Sequence, residues 1–283
     1  MAPPNPDQLL GKSLEGRTAS YRLVRYLSSG GIAHVYLAES KHGPVAVKLL
    51  RPELLASADI VSRFEREASF AQRIEHPSVL RVIEGIARSA PWVFFVCEHL
   101  TGVDVADLIA SRRRIPVPRA LKISIAAADG LAAAHANGLI HRDVKPENIF
   151  LCHLPDGRET VKILDFGAAA LRGAVREDVS FVGTPGYASP EQSHNAPPDE
   201  PADVYGLGVV LYEMLAGHPP FSARNWMDLL SLHALSPPPP IHGLAPSVDR
   251  IVRTALSKDP AERYPSMAAF SEAKRAVLAD LAR

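Results

Sequence analysis

The sequence predicts an α+β chain in two parts: a small β-rich lobe with one main helix, then a larger, mostly helical lobe. Three observations point there. Apolar runs of strand length, broken by turn residues, fill the chain as far as Leu100. One stretch within that part repeats at helical spacing. Beyond it, segments with apolar residues three and four apart dominate, and one of them is apolar nearly all round.

Residues 21–27 alternate imperfectly and run into Ser28-Ser29-Gly30-Gly31, with a second run at 35–38, which predicts a hairpin on a glycine turn. Residues 44–50 are a third strand. Ile60, Phe64, Glu67, Ala68, Ala71 and Ile74 share one helical face. His76-Pro77 ends that helix, since a residue before proline is pushed out of the helical region. Residues 79–86 and 92–97 supply two more strands. In the second part, 118–136 is a long helix with proline near its start and Asn137-Gly138 beyond its end. Short strands are expected at 139–140, 149–151 and 161–164. Residues 204–216 should form a buried central helix, followed by helices at 226–235, 248–257 and 267–281. The proline run 237–240 reads as a stiff connector. The expected organisation is a flexible tail at 1–17 and one domain at 18–283, its smaller lobe about 18–100 and its larger about 101–283.

Composition narrows the function. The 283 residues are 47% hydrophobic, enough for a sizeable core. Lys plus Arg and Asp plus Glu both number 31, so net charge gives no reason to expect nucleic acid or an anionic membrane as the main partner. No apolar run is long enough to span a bilayer, and the Pro-rich polar start is unlike a signal peptide. Cys97 and Cys152 are far apart and in no metal or disulfide pattern, which suits a reducing cytoplasm.

Three features carry chemistry. His141-Arg142-Asp143-Val144-Lys145-Pro146-Glu147-Asn148 is a dense polar set between short strands. Asp165-Phe166-Gly167 follows a strand, and its carboxylate suits a hard cation, for which Asn148 can supply a second oxygen. Lys48 lies in an apolar strand and must snorkel or meet an anion. Glu67 lies on the apolar stripe of the next helix, so pairing it with Lys48 is the economical solution.

The order and spacing of these features, with the glycine hairpin before them and Ser189-Pro190-Glu191 after, resemble the signature set of protein kinases, in their bacterial, eukaryotic-like (Hanks-type) Ser/Thr form. The resemblance covers roughly residues 18–280. It implies the bilobal protein-kinase fold and transfer of the ATP γ-phosphate to protein Ser or Thr hydroxyls, the chain itself included. By motif, Lys48 would hold the α- and β-phosphates and Glu67 would orient it. Asp143 would take the acceptor hydroxyl proton, and Lys145 would steady the γ-phosphate. Asn148 and Asp165 would hold Mg²⁺, or Mn²⁺ in its place. Thr184 would bridge Asp143 and Lys145. The hairpin, through Ser28 and Gly30, would cover the phosphates. Leu27, Val35, Ala46 and Phe150 would enclose the adenine, Cys97 would stand behind it, and the backbone of Glu98 and Leu100 would meet its edge. Glu191 would pair with Arg263, while Asp203 would cap the central helix and bind the His141-Arg142 backbone. Homodimerisation through the small lobe occurs among such relatives.

The glycine loop departs from the pattern. G-x-G-x-x-G falls on Ser28, Gly30 and Ala33. A non-glycine forced left-handed costs roughly 1–2 kcal/mol, so weaker nucleotide handling is expected, and a pseudokinase scaffold is the alternative reading. Small-molecule phosphotransfer is disfavoured by 183–191, which resembles a peptide-docking platform. Gly11-Lys12-Ser13 is a decoy, because a phosphate-binding P-loop would need glycine where Pro6 stands. Ser180 is the candidate site of autophosphorylation, read by Arg142.

Overall fold

The computed structural model describes residues 6–154, 156–174 and 181–283. Its contacts divide the chain into two units: one ends at Thr101, and the other runs from Gly102 and takes in His76–Val79. Ser180 lies outside the described residues.

The first unit is a six-stranded antiparallel sheet with one helix. Its elements are β1 (Ser13–Glu15), β2 (Ser20–Ser29), β3 (Ala33–Ser40), β4 (Gly43–Leu50), α1 (Ala58–Gln72), β5 (Val82–Ser89) and β6 (Trp92–Glu98), with strand order β1-β2-β3-β4-β6-β5. Alternation sorts its side chains. Val45, Val47 and Leu49 of β4 join Tyr21, Leu23, Tyr36, Phe94 and Val96 in one core. Leu50, Phe95 and Cys97 face the other way and pack on Phe64 and Ala68 of α1. Lys48 shares that second face by its register, which brings it to the helix that carries Glu67. Ser57 starts α1, its side chain accepting from the Ile60 N–H.

The expected flexible tail at 1–17 needs correction. From Pro6 onward the chain is structured: Leu9 and Leu14 are buried, and β1 adds to the edge of β2. The cause is the Glu84 carboxylate, which is 4% exposed. It accepts from Arg17 N (2.5 Å), Thr18 N (3.1 Å), the Thr18 hydroxyl and the Tyr21 hydroxyl (2.9 Å). Burial alone would raise the Glu84 pKa, but these hydrogen bonds outweigh it and hold the carboxyl below its ordinary range. Gly16 permits the approach, because a Cβ there would stand 2.7 Å from the Tyr21 ring. The Gly11-Lys12-Ser13 triplet leads into a strand, not a helix, and Lys12 lies over the Trp92 ring.

The second unit contains β7 (Gly102–Asp104), α2 (Val105–Arg112), α3 (Val117–Ala136), β8 (Leu139–Ile140), β9 (Ile149–His153), β10 (Glu159–Ile163), β11 (Ala170–Leu171), α4 (Pro190–Ser193), α5 (Glu200–Ala216), α6 (Trp226–Leu235), α7 (Pro246–Ala255) and α8 (Met267–Asp280). α5 is buried on nearly every side, as its composition requires, and Gly208 lets α7 approach: a Cβ there would come within 2.8 Å of Ala255. It ends at Gly217 (φ 82°), whose N–H returns to the Glu213 carbonyl. The strand expected at 79–86 begins instead at Val82, because Val79 pairs with Ile163 of β10. Sequence reading passed over α2, although Asp104 caps it and Val105, Leu108 and Ile109 mark its buried face.

Candidate active site

In the first unit, Lys48 Nζ lies 2.5 Å from Glu67 Oε1, with side-chain exposures of 17% and 5%. Ala46, also on β4, pairs with Cys97. Cys97 is fully enclosed, and burial pushes its thiol up to about 12, so it is a small apolar wall and not a nucleophile. The Glu98 N–H is donated to the Arg81 carbonyl (3.0 Å), and Glu98 lies opposite Val45 of β4. Leu27, Ser28 and Val35 lie on the β2–β3 hairpin, where Ser28 is opposite Val35.

That hairpin corrects one expectation. Ser28 and Ala33 occupy extended strand positions, and neither Gly30 nor Gly31 is left-handed. The turn closes through Gly30 N–H to the Ala33 carbonyl (2.8 Å), and a Cβ on Gly30 would meet only ordinary contact. The eroded pattern therefore brings no backbone strain.

Strain appears in the second unit. Arg142 (φ 64°) and Asp165 (φ 54°) are left-handed non-glycines, a conformation that costs about 1–2 kcal/mol each. Buried Asp203 holds the first in place. Its Oδ2 accepts from His141 N (2.8 Å) and its Oδ1 from Arg142 N (2.8 Å). His135 Nε2 lies 2.7 Å from the same carboxylate and Nδ1 lies 3.2 Å from Glu200. Burial alone would lower the His135 pKa, but Asp203 and Glu200 together raise it. Burial would likewise raise Asp203, and His135 and the His141 backbone hold it down. The helix cap expected of Asp203 belongs to Asp199, whose side chain accepts from Glu200 N; Asp203 sits a turn further in.

The loop thus fixed presents its polar set in one place. Thr184 Oγ1 donates to Asp143 Oδ1 (2.7 Å) and accepts from Lys145 Nζ (2.9 Å), while Lys145 Nζ lies 2.9 Å from Asp143 Oδ2. Asn148 donates its amide N–H to the Asp143 carbonyl (2.8 Å), so the amide oxygen is what it can offer a cation. Asp165 Oδ1 accepts from Gly167 N (2.9 Å), which shapes the turn after β10. An amide oxygen and a carboxylate form a hard-donor set that fits a divalent cation of the Mg²⁺ type. Among the described residues no cluster of three or more His, Cys, Asp and Glu forms a further metal centre. Phe150 lies in β9, beside Leu151, opposite Lys162.

Two supports were missed from sequence. Gln192 Nε2 donates to the Arg142 carbonyl (2.8 Å) and to Val182 O (3.3 Å), tying α4 to the loop. Gly183 (φ 118°) is irreplaceable beside them, because a Cβ would come within 2.8 Å of the Arg142 carbonyl. The Glu191–Arg263 pair forms as a fork, at 2.7 and 2.8 Å. Arg263 Nε and both terminal nitrogens also reach the carbonyls of Ser257, Pro201 and Lys258, so the buried guanidinium is fully bonded.

Comparison with known proteins agrees with this geometry. The family model described as "Protein kinase domain" matches residues 21–273. The chain is 37% identical to the serine/threonine-protein kinase Pkn1 of Myxococcus xanthus over 94% of its own length, and 35% identical to the serine/threonine-protein kinase PknB of Mycobacterium tuberculosis over 88%. It spans 39% and 41% of the length of those two relatives. The chain belongs to the protein kinase domain family, in its bacterial serine/threonine branch.

Proposed function

We propose that the chain transfers the γ-phosphate of ATP to Ser and Thr hydroxyls of proteins, a second copy of itself included. One observation carries the reading: a hydroxyl, that of Thr184, already lies between Asp143 and Lys145, donating to the first and accepting from the second. An acceptor hydroxyl placed beside it would meet a carboxylate able to take its proton and an ammonium able to neutralise phosphate charge. The acceptor oxygen then bonds to the γ-phosphorus, the bond to ADP breaks, and the proton passes to Asp143. Lys145 steadies the charge on the moving phosphoryl group. Lys48, oriented by Glu67, holds the α- and β-phosphates.

Asn148 and Asp165 would hold the divalent cation, Mg²⁺ by their oxygen chemistry, with Mn²⁺ able to replace it. When bound, the cation neutralises phosphate charge. Leu27, Val35, Ala46 and Phe150 supply the apolar surface for the adenine, and the backbone of Glu98 and Leu100 supplies its polar edge. Ser28 and Gly30 cover the phosphates. No observation favours the scaffold alternative, since the hairpin that suggested it is unstrained. No helix among the described residues is long and apolar enough to cross a membrane. We place the domain in a reducing cytoplasm, where its buried free Cys97 and Cys152 are stable.

The test is transfer from labelled ATP with Mg²⁺ to myelin basic protein. Label that vanishes in Asp143→Asn supports the reading, and no label from the folded wild type refutes it.

A further inference from the structure

Arg172 directly follows β11, in the chain that leaves Asp165-Phe166-Gly167. Its backbone N–H donates to the Gly138 carbonyl (2.8 Å), just before β8, and β8 leads into His141. Its guanidinium donates to Glu200 through Nη2, lies 3.6 Å from Asp199 through Nε, and reaches the His135 carbonyl (3.5 Å). Glu200 Oε2 in turn lies 3.2 Å from His135 Nδ1, an ion contact off the line of a hydrogen bond. On the other side of the ring, His135 Nε2 lies 2.7 Å from Asp203 Oδ2, of the carboxylate that accepts from His141 N and Arg142 N.

Charged side chains thus run in sequence from the surface to the loop that carries Asp143. Side-chain exposure falls along them, from 44% at Arg172 and 19% at Glu200 to 3% at His135 and 1% at Asp203. The outer pair can therefore be altered without leaving a fully buried charge unpaired. A carboxylate at each ring nitrogen sets the charge of the ring. A neutral imidazole has one N–H and would turn a lone pair on one of the two carboxylates; only the imidazolium suits both. Burial opposes that charge, but Asp203 and then Glu200 outweigh it and raise the His135 pKa. Among the described residues the other charged or titratable groups acting here are Arg172, at the His135 carbonyl, and His141, which helps to hold Asp203 ionised.

We propose that Arg172 and Glu200 are positioning residues for Asp143: Arg172 holds Glu200 against His135, and the charged ring passes that constraint through Asp203 to the left-handed backbone of Arg142, which sets the direction of Asp143. This rests on the kinase reading above. The segment that leaves Asp165-Phe166-Gly167 thereby steadies the catalytic loop from behind.

Three variants separate charge from packing. Arg172→Gln removes the cation, Arg172→Lys keeps it, and Glu200→Gln keeps the shape of the side chain without its charge. In steady-state transfer to myelin basic protein, Arg172→Gln should lower kcat about fivefold, the upper end for a partly exposed ion pair. The KM for ATP and for the acceptor should not move, Arg172→Lys should stay near wild type, and all should unfold at similar denaturant concentration. In wild type kcat should fall on the alkaline side as His135 loses its proton. Glu200→Gln removes a charge that raises that pKa, so the fall should move to lower pH, by about one unit. An unchanged kcat in Arg172→Gln, an equal loss in Arg172→Gln and Arg172→Lys, or an alkaline limb that stays in place in Glu200→Gln overturns the proposal. The ¹⁵N spectrum of histidine-labelled protein reads the ring without any turnover, its signals being those missing from His135→Gln. The imidazolium should predominate at the ordinary histidine pKa of about 6.5, and a neutral ring there overturns the proposal. Loss of all transfer in wild type refutes the kinase reading itself, whereas wild-type transfer that Arg172→Gln equals refutes only this inference.

Discussion

The glycine hairpin at 28–33 and the loop at 141–148 invert what their sequences suggest. The hairpin has lost two glycines from the family pattern, yet its replacements are extended strand residues and its backbone is unstrained. The loop contains no glycine, yet Arg142 is left-handed, as is Asp165 in the following turn. Two of the four left-handed non-glycines among the described residues, Arg142 and Asp165, thus sit in or beside the loop where Asp143, Lys145 and Asn148 converge, and a buried carboxylate, Asp203, holds the first of them. A missing glycine matters only where the backbone needs one; a left-handed non-glycine shows where surrounding bonds over-determine the chain.

The largest effect expected from that contrast is at the holder. Asp203→Ala leaves His135 and two backbone N–H groups without their acceptor inside the fold, and should destabilise the protein by about 3–5 kcal/mol. A denaturant titration would show the midpoint falling. A midpoint near wild type would mean that Asp203 does not hold the loop. Next comes Gly183→Ala, where a Cβ meets the Arg142 carbonyl at a φ of 118°. Its cost should be about 1–3 kcal/mol, read in the same titration.

The two units also differ in their response to pH. Glu84 in the first has a depressed pKa, so its stabilisation is complete above the unfolded carboxyl pKa and is lost as pH falls through the lower folded value. His135 in the second has a raised pKa, so its stabilisation is complete below the unfolded histidine pKa and is lost as pH rises through the folded value. Glu84→Gln should flatten the acid limb of the stability profile and leave the alkaline limb unchanged. His135→Gln should do the reverse. The smallest effect belongs to the hairpin. Ser28→Gly with Ala33→Gly relieves no strain, so ATP affinity should rise by less than the about tenfold expected from freeing a left-handed residue. Stability should fall by about 0.5–1 kcal/mol per position.

Much of this was legible in the sequence for a physical reason. Strand alternation set Lys48 on the helix-facing side of β4, and helical spacing set Glu67 on the strand-facing side of α1, so their pairing follows from two local patterns. The Asp143, Lys145 and Asn148 set lies within one loop, and Glu191 with Arg263 came from the family pattern. What was missed joins distant segments. Glu84 binds Thr18, His135 binds Asp203, and Gln192 binds Arg142, all across long separations that no local period encodes. Glu84 did leave a trace: it is a carboxylate close to Val82, Ile83 and Ile86 in β5, a signal of the kind that singled out Glu67 on its helix. Its neglect produced the wrong tail boundary at residue 17.

The central claim is that Asp143 and Lys145 form a working phosphoryl-transfer centre. It is tested most directly by incubating the purified chain with labelled ATP, Mg²⁺ and myelin basic protein beside Asp143→Asn. The account predicts label on the acceptor from wild type and none from Asp143→Asn, with both proteins unfolding at similar denaturant concentration. Equal label from both, or none from a folded wild type, would contradict it.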